Sequence, residues 1–168
     1  IEYDIITDEL LDREEVEVLK QYQAVISSTH HEYVTGASIE QLGEYTASGG
    51  RFLYGGANGF FWSVAQNPAF PGVLESRNFS AIGDRYLTSG AQGGLMVETG
   101  RNYGSIVGTE TSAMVFNGSS GYRKEEAAKN PRAAWIFEGT KEGDVFGDGY
   151  GIDRVYGGVV GLEIDRYN

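Results

Sequence analysis

The stretch from Ala24 to Tyr54 constrains the fold more than any other part of the chain. A short β-prone run (AVISS, 24–28) leads into polar loop text. A stretch with Ile39, Leu42 and Thr46 on one helical face follows, then Gly49-Gly50, then a second β-prone run (RFLY, 51–54). Apolar residues three and four apart share a helix face, and Ser38 with Gln41 has the spacing of a capping box. A glycine just past the last periodic position ends a helix, because it enters the left-handed region without a Cβ penalty. Strand, helix, strand at this spacing predicts parallel pairing through a helical crossover. Upstream, Tyr3–Thr7 (YDIIT) reads as another strand. Asp12 with Glu15 suggests a cap for a helix whose face carries Leu11, Val18, Leu19 and Tyr22. Together these predict a βαβαβ unit with parallel strands.

Beyond Pro71 the text changes. Apolar runs such as Ala113–Asn117 (AMVFN) and Ala133–Glu138 (AAWIFE) read as strands, and Lys124–Lys129 as a helix that Asn130-Pro131 ends. The chain holds 25 glycines, but aromatic and β-branched residues are interleaved with them, which points to ordered turns rather than low complexity. With no linker and no fixed-period repeat, residues 1–168 read as a single α/β domain. The first residue is Ile and both ends fall in strand-like text (IEYDIIT and GLEIDRYN), so the expectation is a piece of a longer protein truncated at both ends.

Composition removes several function classes. A net charge of −11 without a basic cluster argues against a phosphate-tracking nucleic-acid surface. No apolar run approaches the ~18 residues of a membrane span. The absence of cysteine excludes disulfides and thiolate nucleophiles, and a cytoplasmic location is expected. No G-x-S-x-G elbow and no phosphate-cradling Gly-Lys-Ser/Thr occur. A hydrolase built on this chain therefore calls for an activated water as nucleophile.

In parallel α/β sheets ligands bind beyond the carboxyl ends of the strands. Three strand ends are expected to converge there, Thr7-Asp8, Thr29-His30-His31-Glu32-Tyr33 and Gly55-Gly56-Ala57-Asn58-Gly59-Phe60, and the last two carry unusual residues. If 30–32 continue extended, His30 and Glu32 face one side and His31 the other. A His-x-Glu pair of that kind can bind a metal or divide acid–base and orienting roles. Asn58 either offers its amide to a substrate or simply makes the tight turn. Glu138 closes the apolar run AAWIF, where burial would be costly without a partner, or it sits at an exposed strand end before Gly139.

The stretches T-H-H-E-Y (29–33), G-G-A-N-G-F-F-W (55–62), N-P-x-x-P-G-V (67–73) and R-A-A-W-I-F-E-G (132–139) resemble, in order, the C-terminal region of the large subunit of the N,N-dimethylformamidase family. The family pattern has Pro where this chain has His31, and G-G-N-G where this chain inserts Ala57. The resemblance implies a three-layer α/β fold with an open, mainly parallel sheet, like a class I glutamine amidotransferase or flavodoxin. It also implies an amidohydrolase with mononuclear Fe(III) that converts a small N-substituted formamide to formate and an amine. By the same resemblance Glu32 is a metal ligand, with tyrosine ligands expected outside this segment. His30 and Asn58 are then site residues, and Glu138 acts on water. The partners implied are a small amide, upstream domains of the same polypeptide, a small subunit and further copies of the chain, with no nucleic acid and no membrane. The alternative is a non-catalytic ligand- or carbohydrate-binding module of trehalose-utilisation-like type.

Overall fold

The computed structural model describes residues 1–28, 30–67, 69–70, 72–77, 85–147, 158 and 160–167. They divide into two compact units, Ile1–Thr111 with Asp165–Asn168, and Ser112–Ile164.

In the first unit the opening residues do not form the strand expected at Tyr3–Thr7. Ile1, Tyr3 and Ile5 are exposed and outside regular structure. Thr7 instead caps α1 (Asp8–Glu14), its hydroxyl accepting from Leu10 N at 3.2 Å. Asp8 and Glu9 sit in the first turn, where the helix end favours negative charge. Asp12 is thus inside the helix rather than at its cap. Its carboxylate accepts from the hydroxyls of Thr35 and Ser38, each at 2.7 Å. Glu15, with φ of +58°, ends α1, and α2 (Val16–Leu19) follows.

β1 (Ala24–Ser27) and β3 (Arg51–Tyr54) pair in parallel, Ala24 opposite Arg51 and Ser27 opposite Tyr54. Between them in sequence lie β2 (Tyr33–Thr35) and α3 (Gly36–Ala47). The α3 cap is Thr35, which accepts from Ser38 N at 3.1 Å, so the helix starts a turn before the expected Ser38–Gln41 box. Ile39, Leu42 and Tyr45 form its buried face, and Gly49 (φ +96°) stops it as expected. β2 pairs in parallel with β4 (Trp62–Gln66), while β5 (Leu74–Ser76) and β6 (Gly94–Leu95) run antiparallel to β4.

The three-layer, mainly parallel sheet is therefore not what these residues build. Among the described residues β1–β3 and β2–β4 pair in parallel, while β4–β5, β4–β6 and the strands Tyr122–Arg123 and Val145–Phe146 pair antiparallel, the helices are few and the sheets are small. The reason is the supply of crossovers. A parallel neighbour needs a connection of about a dozen residues or more, and α3 is the helix that provides one. β5 and β6, which follow β4, pair with it in short antiparallel ladders instead.

The core of this unit gathers Leu11, Val16, Leu19, Val34, Ile39, Leu42, Tyr45 and Phe60. Met96, from a 3-10 turn at Met96–Thr99, joins it, as does Tyr103 just before α4 (Gly104–Val107). Side chains of this size each contribute about 1.5–3 kcal/mol on full burial.

One surface loop is held electrostatically. Glu75 accepts from Leu87 N, Thr88 N and the Thr88 hydroxyl, each at 2.9 Å, and pairs with Arg77. The Leu87 amide, followed by the Thr88 groups and the Arg77 charge, pulls its carboxyl down to about 2. A depressed carboxyl stabilises the fold above the ordinary carboxylate range and loses that contribution as pH falls through about 2. We expect Glu75 to titrate near 2 by carboxyl-carbon NMR, and Glu75→Gln to raise amide exchange at Leu87 and Thr88. A normal carboxylate midpoint would contradict this clamp.

The second unit contains most of β7 (Thr109–Ser120), which pairs with β10 (Val160–Tyr167), and the antiparallel pair β8 (Tyr122–Arg123) and β9 (Val145–Phe146). The Tyr122 and Phe146 rings stack at 6.2 Å, and Lys124 Nζ lies 5.7 Å from the Phe137 ring centre. Ala113–Asn117 falls within β7, as read from the sequence. The helix expected at Lys124–Lys129 is a single 3-10 turn, Glu126–Lys129. The strand expected at Ala133–Glu138 is likewise a 3-10 turn, Ala134–Phe137. Asn130 O already accepts from Ala133 N and Ala134 N, so the turn begun at Asn130-Pro131 propagates, leaving Trp135 and Ile136 exposed.

Candidate functional site

The segments 24–35 and 51–66 run side by side in parallel along two ladders with a break between them. On one chain the break spans residues 28–32 and on the other 55–61, so five residues face seven. Both motif loops sit in this break. Phe60 N donates to His31 O at 2.7 Å and Trp62 N to Glu32 O at 2.9 Å, which resumes the ladder just ahead of β2 and β4.

Residues 30–32 are not extended. His30 has φ of +48°, and Glu32 N donates to His30 O at 2.8 Å, closing a three-residue turn. The alternation that would set His30 and Glu32 on one side therefore does not apply. His30 is exposed and Glu32 half-buried. Between them His31 is tied down. Ser27 Oγ is 2.9 Å from its Nδ1, and Asp8 Oδ1 is 2.9 Å from its Nε2, at ion-pair distance but off the hydrogen-bond line. Its ring lies 4.9 Å from that of Phe60.

Asn58 is fully buried, with φ of +54°, a conformation asparagine tolerates better than most residues. Its amide oxygen accepts from the Thr111 hydroxyl at 3.1 Å, and its backbone N–H donates to Asp165 Oδ1 at 3.3 Å. Tyr103 lies beside Thr111 and Asp165, and burial pushes its phenol up. The next residue must be glycine, because a Cβ at Gly59 would stand 2.3 Å from Tyr54 Cζ. That ring is fixed by its hydroxyl, which donates to Ala57 O at 2.8 Å.

Glu138 belongs to the second unit. It is exposed and extended, directly after the 3-10 turn. The cost of burying a carboxylate is thus no argument for its having a task. Thr29, Pro68 and Pro71 of the motifs lie outside the described residues. The structure brings the loops of His30, Glu32 and Asn58 together. It also shows what the sequence did not reveal, namely His31 with Ser27 and Asp8, and the polar set around Asn58. No spacing rule links positions 8, 27 and 31, or 58, 111 and 165, so no local signal existed.

A cleft of about 740 Å³ in the first unit, lined in part by Arg13, Thr35, Ser63, Phe70, Tyr86 and Arg101, includes none of His30, Glu32 or Asn58. Among the described residues no three His, Asp or Glu side chains converge as a metal site would require. Glu32 offers one carboxylate, and a single donor does not hold an iron ion, so the described residues do not amount to a metal centre by themselves. Among the described residues, no helix is long and apolar enough to cross a membrane.

Comparison with known proteins supplies the family. The N,N-dimethylformamidase beta subunit from Paracoccus aminophilus is 34% identical over 175 residues, covering 99% of this chain and 23% of that protein. The N,N-dimethylformamidase beta subunit from an Alcaligenes species is 35% identical over 175 residues, with the same coverage. The chain thus spans about a quarter of the length of these relatives. The family model described as N,N-dimethylformamidase beta subunit-like, C-terminal, matches residues 1–168. With its T-H-H-E-Y and G-G-A-N-G loops meeting at one break between parallel ladders, the chain belongs to this N,N-dimethylformamidase beta subunit-like C-terminal family.

Proposed function

We propose that this chain is part of an amidohydrolase that cleaves a small N-substituted formamide to formate and an amine. The observation that carries the reading is the placement of Glu32. Glu32 is half-buried at the break between the ladders, on a turn held by the Trp62 and Phe60 amides, in a chain whose relatives are dimethylformamidase subunits. In this reading Glu32 is one ligand of a mononuclear ferric centre whose other donors, tyrosines by the resemblance, come from outside residues 1–168. Carboxylate and phenolate oxygens suit so hard a cation, which would act as Lewis acid toward the amide or its attacking water.

The residues of this chain then have separable tasks. His30, exposed on the same turn, orients the substrate. Asn58 holds the facing loop from within. Glu138 is assigned its role on water by the resemblance alone, and its own substitution decides it. The partners are the rest of the polypeptide and a small subunit, as the beta-subunit names of the relatives suggest.

Glu32→Ala in the whole protein tests the reading. Iron content should fall well below stoichiometric, and formate release from dimethylformamide should drop by about 100-fold or more, with the far-ultraviolet circular dichroism unchanged. Undiminished turnover in the variant would remove Glu32 from the site.

A further inference from the structure

His31 takes no part in the roles assigned so far, yet it is held on several sides. Its imidazole meets three separate pieces of chain: the end of β1 through Ser27 (2.9 Å to Nδ1), the first turn of α1 through Asp8 (2.9 Å to Nε2), and the Phe60 ring (4.9 Å between centres). Its carbonyl accepts from Phe60 N at 2.7 Å. The side chain is largely shielded, with 22% of its surface exposed.

What such anchoring is needed for follows from the backbone around it. His30, Asn58 and Phe60 have φ of +48°, +54° and +57°. Non-glycine residues in this region cost about 1 kcal/mol or more each and persist where the surroundings over-determine them. All three lie in the two loops that face each other across the break. Phe60, buried beneath His31, is the point where those loops touch through both a ring contact and a backbone bond. Remove the imidazole, and the turn carrying Glu32 loses its side-chain tie to β1 and α1 while keeping its backbone strain.

We propose that His31 is a positioning residue. Chiefly through its Nδ1 tie to Ser27, with Asp8 and the Phe60 ring beside it, it fixes the 30–32 turn against the 58–60 turn and so sets where the Glu32 carboxylate stands. The proposal rests on the reading of Glu32 as a functional carboxylate.

Two substitutions in the whole protein separate the possibilities. His31→Asn places an amide close to where Nδ1 stands and can keep the bond to Ser27. His31→Phe keeps a ring against Phe60 and loses that bond. For His31→Phe we expect kcat on dimethylformamide to fall about 10- to 100-fold with KM within about twofold, as for a displaced rather than a missing group. For His31→Asn, kcat should return to within about fivefold of the parent. Hydrogen exchange gives a readout independent of turnover: the peptide spanning 55–62 should exchange faster in His31→Phe and at the parental rate in His31→Asn. Equal exchange in all three proteins, equal loss in both variants, or faster exchange with unchanged kcat would each overturn the proposal. If the parent itself fails to hydrolyse the amide, or Glu32→Ala stays active, the functional reading falls. The exchange pattern then still decides whether His31 positions the loops.

Discussion

Replacing Phe60 with alanine is expected to destabilise the protein by about 3–5 kcal/mol, the range for deleting a large buried aromatic side chain. Phe60 has no exposed surface. Its ring is the hub of a cluster with His31 at 4.9 Å, Tyr54 at 5.6 Å and Phe52 at 6.3 Å. Those neighbours come from the 30–32 turn and from β3, so the space left by the ring cannot close by moving one side chain. The positive φ at Phe60 does not offset the loss, because alanine is strained there too. Against a typical total stability of about 5–15 kcal/mol, the loss is large enough to read directly from urea unfolding. A change below about 1 kcal/mol would mean that the cluster closes over the gap and does not depend on the ring.

The second large effect is expected at Asn58. Asn58→Leu keeps nearly the same volume but should cost about 2 kcal/mol, from two sources. The Thr111 hydroxyl loses its bond to the buried amide oxygen and keeps the one to Asp165 Oδ1 at 3.3 Å, and one such hydrogen bond contributes about 0.5–1.5 kcal/mol. Leucine also tolerates φ of +54° less well than asparagine, adding about 1 kcal/mol. Asn58→Gly separates the two, since it relieves the backbone and still removes the amide. The glycine variant should therefore lie between the parent and Asn58→Leu in equilibrium unfolding. If it is as unstable as the leucine variant, the backbone conformation contributes nothing to the preference for asparagine.

How much of this was legible in the sequence depends on the range of the interaction that fixes each feature. β1, α3 and β3 were readable because their signals are local: two β-prone runs, a 3–4 periodicity and a glycine stop. The parallel pairing of β1 with β3 followed from the helix between them, and with it the meeting of the loops after the two strands. The α1 cap was misplaced because Asp12 and Glu15 imitate a capping box, whereas Asp12 serves Thr35 and Ser38 through tertiary contacts. The segment AAWIFE has the composition of a strand. Its conformation was decided by the turn at Asn130, which fed a 3-10 geometry into it. The wider sheet was not legible at all, because pairing in the glycine-rich half depends on partners distant in the chain. That the turns of Glu32 and Asn58 meet could be read from motif and strand order. The contacts of His31 could not, since Ser27 and Asp8 stand on other elements.

The unequal break between the ladders amounts to a dislocation in a parallel β pairing. Two chains fall out of step, one carrying two residues more than the other between its paired segments, and then regain step. A dislocation survives exchange of side chains, because only a change in residue count restores step. The polar turn is thus held open by chain length as much as by chemistry. That makes Ala57, which adds to the count on the longer side, a determinant of geometry despite its lack of a polar side chain.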